Sequence, residues 1–190
     1  MKKVIIFGGH YTYDPGCVFE NIIERDWNWR IAKEIVLRLN KHKDIKNIKF
    51  VLGINDSLHN KIKWINNQDD ILFIIEIHLN CSDNIHAQGI ETIYYKNSKN
   101  GKIIATNLYK KLMIALWKNK NKNKQRGVKY TEIIGRHLAF LSNTKFPAVI
   151  TESLFISNPK ERNYLQKPQT FEKIVNGHII GILKSCQILN

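Results

Sequence analysis

The stretch Phe73-Ile74-Ile75-Glu76-Ile77-His78-Leu79-Asn80 decides the fold and indicates where a site would lie. An apolar run rich in β-branched residues is typical of a strand buried in a parallel sheet. The run ends in a histidine and an asparagine, and open α/β sheets bind ligands beyond the carboxyl ends of their strands. His78 and Asn80 are therefore candidate site residues, although a satisfied polar residue at a strand end fits this stretch equally well.

The rest of the chain alternates strands with helices. Further strands are predicted at 3–7, 46–52, 89–95 and 148–151, with a short one at 138–141. Helices are predicted at 24–40, 57–67 and 102–117, then briefly after Pro159 and finally along the C-terminal segment. This order favours a single-domain, three-layer α/β fold, with a mostly parallel twisted sheet of about six strands between helices. A length of 190 residues is enough for one sizeable core.

The charge balance is strongly basic. Thirty Lys and Arg residues stand against 16 Asp and Glu, giving a formal net charge of +14. Such a charge predicts a polyanionic partner: nucleic acid, an anionic membrane surface or an anionic cell wall. No apolar run approaches the roughly 18–20 residues that a membrane helix needs. The apolar run 4–7 is too short for a signal peptide, so we expect synthesis in the cytoplasm without one.

The three cysteines, Cys17, Cys81 and Cys186, are an odd number and widely spaced. A disulfide framework is therefore not expected, and reduced thiols are the prediction. Cys17 and Cys81 lie near histidines in the sequence, but without a paired thiolate spacing they are weak candidates for metal ligands.

Polar side chains with catalytic potential gather at one predicted edge of the sheet. His10, His78 and Glu152 each follow a predicted strand, and Glu24 begins the first helix at the same edge. Two neutral imidazoles and a carboxylate form a three-ligand zinc set that leaves a fourth position for water. A second carboxylate nearby can accept and return the proton of that water. These four residues are the minimum set for hydrolysing an amide.

Six short motifs in sequence order resemble one known family. They are Gly9-His10-x-x-x-Asp14-Pro15-Gly16, Glu24-x-Asp26-x-Asn28, Ile77-His78-Leu79-Asn80, Gly89-Ile90-Glu91, Arg126-Gly127-Val128 and Pro147-Ala148-Val149-Ile150-Thr151-Glu152, the last followed by Phe155-Ile156-Ser157-Asn158. This series resembles the zinc-dependent N-acetylmuramoyl-L-alanine amidases of phage endolysins and bacterial wall hydrolases. The resemblance spans nearly the whole chain.

The resemblance implies a role for each matching residue. His10, Glu24 and His78 match the residues that hold one zinc ion, and Glu152 matches the catalytic glutamate. Glu20 is a competing ligand, but the Glu-x-Asp-x-Asn match places the ligand on Glu24.

Three further residues have predicted roles at the edge of the site. Asn80 and Arg126 are candidates for binding the peptide or the glycan of the substrate. Glu76 stands where the family often has a small residue, and it lies on the same face of the strand as His78. It is predicted either to contact a metal-bound histidine on the side away from the metal or to pair with a buried lysine or arginine. Lys61 stands roughly where relatives carry an arginine.

The resemblance implies a zinc-dependent peptidoglycan hydrolase that cleaves the amide between N-acetylmuramic acid and L-alanine. The expected partners are peptidoglycan and, through the positive charge, anionic wall polymers. We expect a monomer without nucleic-acid binding or membrane insertion, and a single amidase domain over 1–190 without a separate wall-binding domain. We expect it to act on the cell wall after its release, in phage-type lysis or mother-cell lysis. One alternative is a zinc peptidase acting within the stem peptide. Another is a nucleic-acid-binding module using the loop 118–124, which lacks the interleaved aromatic residues of such modules.

Overall fold

The computed structural model describes residues 1–42, 47–118, 124–132 and 138–190. In chain order the elements are β1 (Lys2–Gly8), β2 (Val18–Phe19), β3 (Ile22–Ile23), α1 (Glu24–Asn40), β4 (Ile48–Leu52), α2 (Leu58–Asn66), β5 (Ile71–Asn80), β6 (Ile90–Tyr94), α3 (Lys99–Trp117), β7 (Gln125–Tyr130), α4 (Ala139–Ser142), β8 (Ala148–Phe155), α5 (Pro159–Leu165) and α6 (Pro168–Leu189). Lys46, which was predicted to begin β4, and residues 119–123 of the basic loop lie outside the described residues.

A central sheet in the described part of the chain has six strands in the order β4-β1-β5-β8-β6-β7. β4, β1, β5 and β8 run parallel to one another. β6 runs antiparallel to β8, and β7 runs parallel to β6. The predicted fold class is confirmed, and the strand 71–80 that suggested it lies near the middle of the sheet. β2 and β3 form a separate two-stranded hairpin before α1.

Successive side chains on β5 point to opposite faces of the sheet and so divide the core. Ile75 and Ile77 pack in the larger cluster, which also holds the apolar residues of α1, α3 and α6. Ile74 packs in the smaller cluster with residues of α2 and α4. Glu76 and His78 follow Ile74 at steps of two, so they lie on the thinly covered face, where a groove opens. Within the described ranges, no helix combines the length and the apolar character needed to cross a bilayer.

One predicted strand and one predicted strand end were wrong. The segment 138–141 is a helical turn, α4, in which the Ser142 N–H donates to the Leu138 carbonyl, and this turn buries Phe140 and Leu141. β8, which was predicted to end at Thr151 directly before Glu152, continues to Phe155. The apolar residues after Glu152 remain buried, so the carboxylate lies within the strand rather than beyond it.

The prediction of reduced thiols is wrong for two of the three cysteines. Cys17 and Cys81 form a disulfide, with Cα atoms 6.4 Å apart, while Cys186 is free and buried. The two cysteines are 64 residues apart in sequence, so their spacing gives no sign of pairing. They meet because β1 and β5 are parallel neighbours, and the loops that follow them start side by side.

Candidate active site

The structure brings His10, Glu24 and His78 together at the carboxyl ends of β1 and β5. The Glu24 carboxylate lies between the two imidazoles, with Oε2 3.1 Å from His10 Nε2 and Oε1 3.0 Å from His78 Nδ1. One donor atom from each residue lies within 4.8 Å of the other two. This is the geometry of a group that can share one metal ion.

Close backbone packing places the two imidazoles. His10 has φ of 64°, in the left-handed region that non-glycine residues seldom adopt. A Cβ atom on Gly9 would collide with the His78 ring, and one on Gly16, whose φ is also positive, would collide with His10. The Gly9 N–H donates to the Ile77 carbonyl at 2.8 Å and ties this loop to β5. The glycines of the first motif therefore allow the loop to approach both rings.

Glu24 is held at the first position of α1. Its carboxylate accepts hydrogen bonds from the Cys17 N–H at 3.1 Å and from Asn28 Nδ2 at 3.2 Å. Asn28 is one helical turn further on, which explains the spacing of the second motif. Asp26 is exposed and pairs with Arg25 instead. The helix therefore presents one carboxylate to the site and the other to solvent.

The competing carboxylate, Glu20, lies outside the cluster. Its side chain is 63% exposed and pairs with Arg162 at 2.7 Å. The structure therefore groups Glu24, not Glu20, with the histidines.

Each imidazole has a second carboxylate near its other ring nitrogen. His10 Nδ1 lies 2.8 Å from Asp14 Oδ2, and His78 Nε2 lies 3.4 Å from Glu76 Oε2. Carboxylates in this position fix the ring orientation and tautomer of metal-binding histidines. The sequence analysis gave Asp14 no role beyond its place in the first motif, although its spacing of four residues from His10 was a usable signal.

Glu76 makes both of the contacts that were predicted as alternatives. Besides approaching His78, its Oε1 lies 2.9 Å from Lys61 Nζ, and both side chains are buried. Lys61 also donates to the carbonyls of Gly8 and His10, each at 3.0 Å. Lys61 thus connects the backbone of the loop that carries His10 to the Glu76 carboxylate, which contacts His78.

The charges of the cluster favour a bound cation. Burial alone would lower the pKa of His10 and His78, but the carboxylates beside each ring outweigh burial, Glu24 with Asp14 at His10 and Glu24 with Glu76 at His78, so both pKa values are raised. Burial alone would raise the pKa of Glu24, but hydrogen bonds from the two histidines hold it far below its usual range. At Glu76, burial alone would also raise the pKa, but His78 and Lys61 outweigh burial and hold the pKa at about 2. Both buried carboxylates are therefore ionised.

Glu152 lies one strand away from His78. The two residues are register partners on β5 and β8, and Glu91 on β6 is the partner of Glu152 on the other side. Register partners point to the same face of a sheet, and neighbouring strands are about 4.8 Å apart. His78, Glu152 and Glu91 therefore form a row across the floor of the groove.

The groove has a volume of about 1020 Å³, and both predicted substrate-binding residues line it. Asn80 Nδ2 donates to Glu91 Oε1 at 3.1 Å, and Arg126 Nε donates to Glu91 Oε2 at 2.6 Å. Lys129 Nζ reaches the same oxygen at 2.6 Å. The sequence analysis gave Glu91 no role. It also missed Lys129, because the segment 126–130 showed no clear strand pattern before its pairing with β6 was known.

Comparisons with known proteins agree on one family. The family model described as N-acetylmuramoyl-L-alanine amidase matches residues 4–184. The endolysin of Bacillus phage SPP1 is 29% identical over 198 residues, which cover 100% of this chain and 66% of the endolysin. The amidase LytC of Bacillus subtilis (strain 168) is 25% identical over 168 residues, covering 87% of this chain and 32% of LytC. The chain thus spans about two thirds of one relative and one third of the other.

A solved structure supports the same grouping. The N-acetylmuramoyl-L-alanine amidase from Clostridium difficile 630 is 26% identical, with a TM-score of 0.82 over 98% of this chain and 97% of that chain. The fold described above is therefore that of a solved amidase along nearly its whole length.

Proposed function

The chain belongs to the N-acetylmuramoyl-L-alanine amidase family, and we propose that it hydrolyses the amide between the lactyl group of N-acetylmuramic acid and L-alanine in peptidoglycan. The observation that carries the proposal is the cluster of His10, Glu24 and His78, with Glu152 one strand away in the same groove. Zinc is the proposed cofactor, as one ion held by the three clustered residues, and Glu152 is the proposed general base and acid.

The donor set fits zinc. Two imidazole nitrogens and one carboxylate oxygen form a ligand set typical of hydrolytic zinc sites, which leave one position open. Asp14 and Glu76 stand behind the two histidines in the positions that such ligands commonly need. When bound, zinc supplies a Lewis acid that activates a water molecule and polarises the amide carbonyl.

Glu152 supplies the proton transfers. A carboxylate on the floor of the groove, beside a ligand histidine, can accept a proton from the attacking water. The protonated Glu152 then donates to the alanine nitrogen as the carbon–nitrogen bond breaks, so the peptide leaves as a neutral amine. Asn80 and Arg126, which line the same groove, are proposed to hold the substrate while this happens.

The distribution of charge supports wall polymers as a partner. Among the described residues lining the groove, seven carboxylates stand against three lysines and arginines. The excess positive charge of the chain must therefore lie largely outside the groove. There it is free to attract anionic wall polymers in a salt-dependent manner without occupying the catalytic centre.

Three variants test the roles of the residues. Glu152→Gln should retain bound zinc and lose hydrolysis, whereas His10→Ala should lose the zinc itself. Glu20→Gln is the matched control, because it removes a carboxylate before the same helix and should change neither property. The measurements are the zinc content of the purified proteins and the appearance of new amino ends on digested peptidoglycan.

The identity of the new amino ends decides between the proposed reactions. Alanine amino ends with intact muramic acid support the amidase, whereas amino ends of a later residue would establish a peptidase. An active Glu152→Gln variant would exclude Glu152 as the proton carrier. A zinc-free but active enzyme would exclude the metal mechanism.

A further inference from the structure

The groove has a cationic wall formed by Arg126 and Lys129 beyond Glu152. From its position, we infer that this wall is a subsite for a carboxylate on the peptide half of the substrate, carried by the residue after alanine. The inference rests on the proposed amidase reaction and adds the chemical group that the second subsite recognises. It also assigns Lys129 as a specificity-determining residue.

The two cations are oriented by a single buried carboxylate. Both donate to Glu91 Oε2 at 2.6 Å, and the Glu91 side chain is only 9% exposed. The cations themselves are 34% and 23% exposed, so part of each still faces the groove. Two positive charges against one negative charge leave a net positive charge at this wall. The Arg126 guanidinium also lies over the Phe155 ring, 4.8 Å from its centroid, which limits its movement.

The remainder of the groove does not suit an anion. Besides Arg126 and Lys129, the described part of the groove is lined by one further lysine, Lys61. Its side chain is 3% exposed and is bound to Glu76 and two carbonyls. Outside the metal centre proposed at His10, Glu24 and His78, which faces the amide carbonyl, the other groove residues with full charges are carboxylates. In the described part of the groove beyond that centre, a negatively charged group on the substrate would therefore be repelled except beside Arg126 and Lys129.

The proposed chemistry determines which half of the substrate meets this wall. The muramic acid carboxyl is consumed in the scissile amide, so ionised carboxylates remain on the peptide half. Glu152 must face the alanine nitrogen in order to protonate it, and the metal cluster faces the carbonyl. The peptide therefore continues from Glu152 away from His78, toward Glu91 in the next strand.

The distances along this row match one residue of peptide. Adjacent strands are about 4.8 Å apart, and one extended residue spans about 3.3–3.6 Å. Alanine alone thus covers most of the step from Glu152 to Glu91, and the next residue lies beside Arg126 and Lys129. These two side chains also line a second recess of about 410 Å³, which gives the rest of the peptide a path onward.

The test compares two soluble muramoyl peptides that are identical except in the residue after alanine. One carries a free carboxylate there, and the other carries the corresponding carboxamide. The wild type should favour the carboxylate in kcat/KM by about tenfold, the order expected for one charge-assisted hydrogen bond. Lys129→Gln should reduce that preference mainly through KM, and Lys129→Arg should restore it. Lys110→Gln is the control, because it removes an exposed lysine from α3, away from the groove.

Each outcome has a distinct meaning. Equal kcat/KM for both peptides with the wild type would overturn the subsite while leaving the amidase intact. A preference that survives in folded Lys129→Gln would overturn the role of Lys129, and Arg126→Gln provides the same measurement if the lysine variant does not fold. Hydrolysis of neither peptide by the zinc-loaded wild type, together with no attack on peptidoglycan, would overturn the proposed function and the subsite with it.

Discussion

Removing Lys61 should weaken both the fold and the metal centre, because this side chain connects the two. Lys61→Met leaves the Glu76 carboxylate buried without its cation and removes hydrogen bonds to the carbonyls of Gly8 and His10. Breaking a buried ion pair from one side costs about 3–5 kcal/mol. Glu76→Gln removes the charge behind His78, and loss of such a partner lowers metal affinity by about 10–100-fold.

The double variant distinguishes a specific pair from general damage. In Lys61→Met/Glu76→Gln no charge is left buried alone, so the loss of stability should be about 1–3 kcal/mol smaller than the sum of the single losses. The free energy of unfolding comes from urea titrations of the metal-free proteins. Zinc affinity comes from competition with a chromophoric chelator. Lys63→Met is the matched control, an exposed lysine in the same helix.

Two results would refute this reasoning. If Lys61→Met unfolds within about 1 kcal/mol of the wild type, the pair is not the buried connection described above. If Glu76→Gln binds zinc as tightly as the wild type, the carboxylate behind His78 has no influence on the metal, and Glu76 serves only to neutralise Lys61.

Three further predictions concern other parts of the chain. Burial lowers the pKa of His178 to about 4, whereas the unfolded value is about 6.5, so the unfolded chain binds the extra proton first. Stability should therefore fall by about 3 kcal/mol as the pH drops from about 6.5 to about 4, and urea midpoints of the wild type and His178→Gln will show the difference. Reduction of the Cys17–Cys81 disulfide, which links residues 64 apart, should lower stability by about 4 kcal/mol in denaturation with and without reductant. Gly9→Ala should displace the His78 ring and abolish tight zinc binding, as measured by metal analysis.

Each of these predictions has a contrary result. The same loss of stability at acid pH in His178→Gln would assign it to other groups. Unchanged stability after reduction would show that the disulfide does not constrain the unfolded chain. A zinc-replete Gly9→Ala variant would show that the loop can retreat from the ring.

The strand at the centre of the fold was predictable because its side chains are apolar on both faces. Ile74, Ile75 and Ile77 permit one interpretation, a buried strand, and parallel order then follows from the helices between strands. The gathering of His10, Glu24 and His78 was also predictable, because the carboxyl ends of neighbouring parallel strands share one edge of the sheet. These inferences need only local pattern and the rules of connection.

Other features depend on contacts that no local pattern shows. The Cys17–Cys81 disulfide requires knowing that β1 and β5 are neighbours. β7 is polar and partly exposed at the edge of the sheet, so Lys129 stood in a segment without a strand signature. The partner of Glu76 could be predicted as a basic residue, but only packing identifies it as Lys61, 15 residues earlier.

The strand direction reverses between β8 and β6, and this point in the sheet lies between the hydrolytic residues and the cationic wall. The two groups of residues are also separate along the gene. The metal cluster and Glu152 come from the loop after β1 and from α1, β5 and β8. The cationic wall, Arg126 and Lys129, lies on β7, and the Glu91 carboxylate that orients it lies on β6; both strands fall between β5 and β8 along the chain. A continuous coding segment thus carries the peptide-facing wall, and the chemistry is encoded on both sides of it. Exchange of that one segment between related enzymes would change which bacterial cell walls are recognised. The residues that carry out the hydrolysis would stay unchanged.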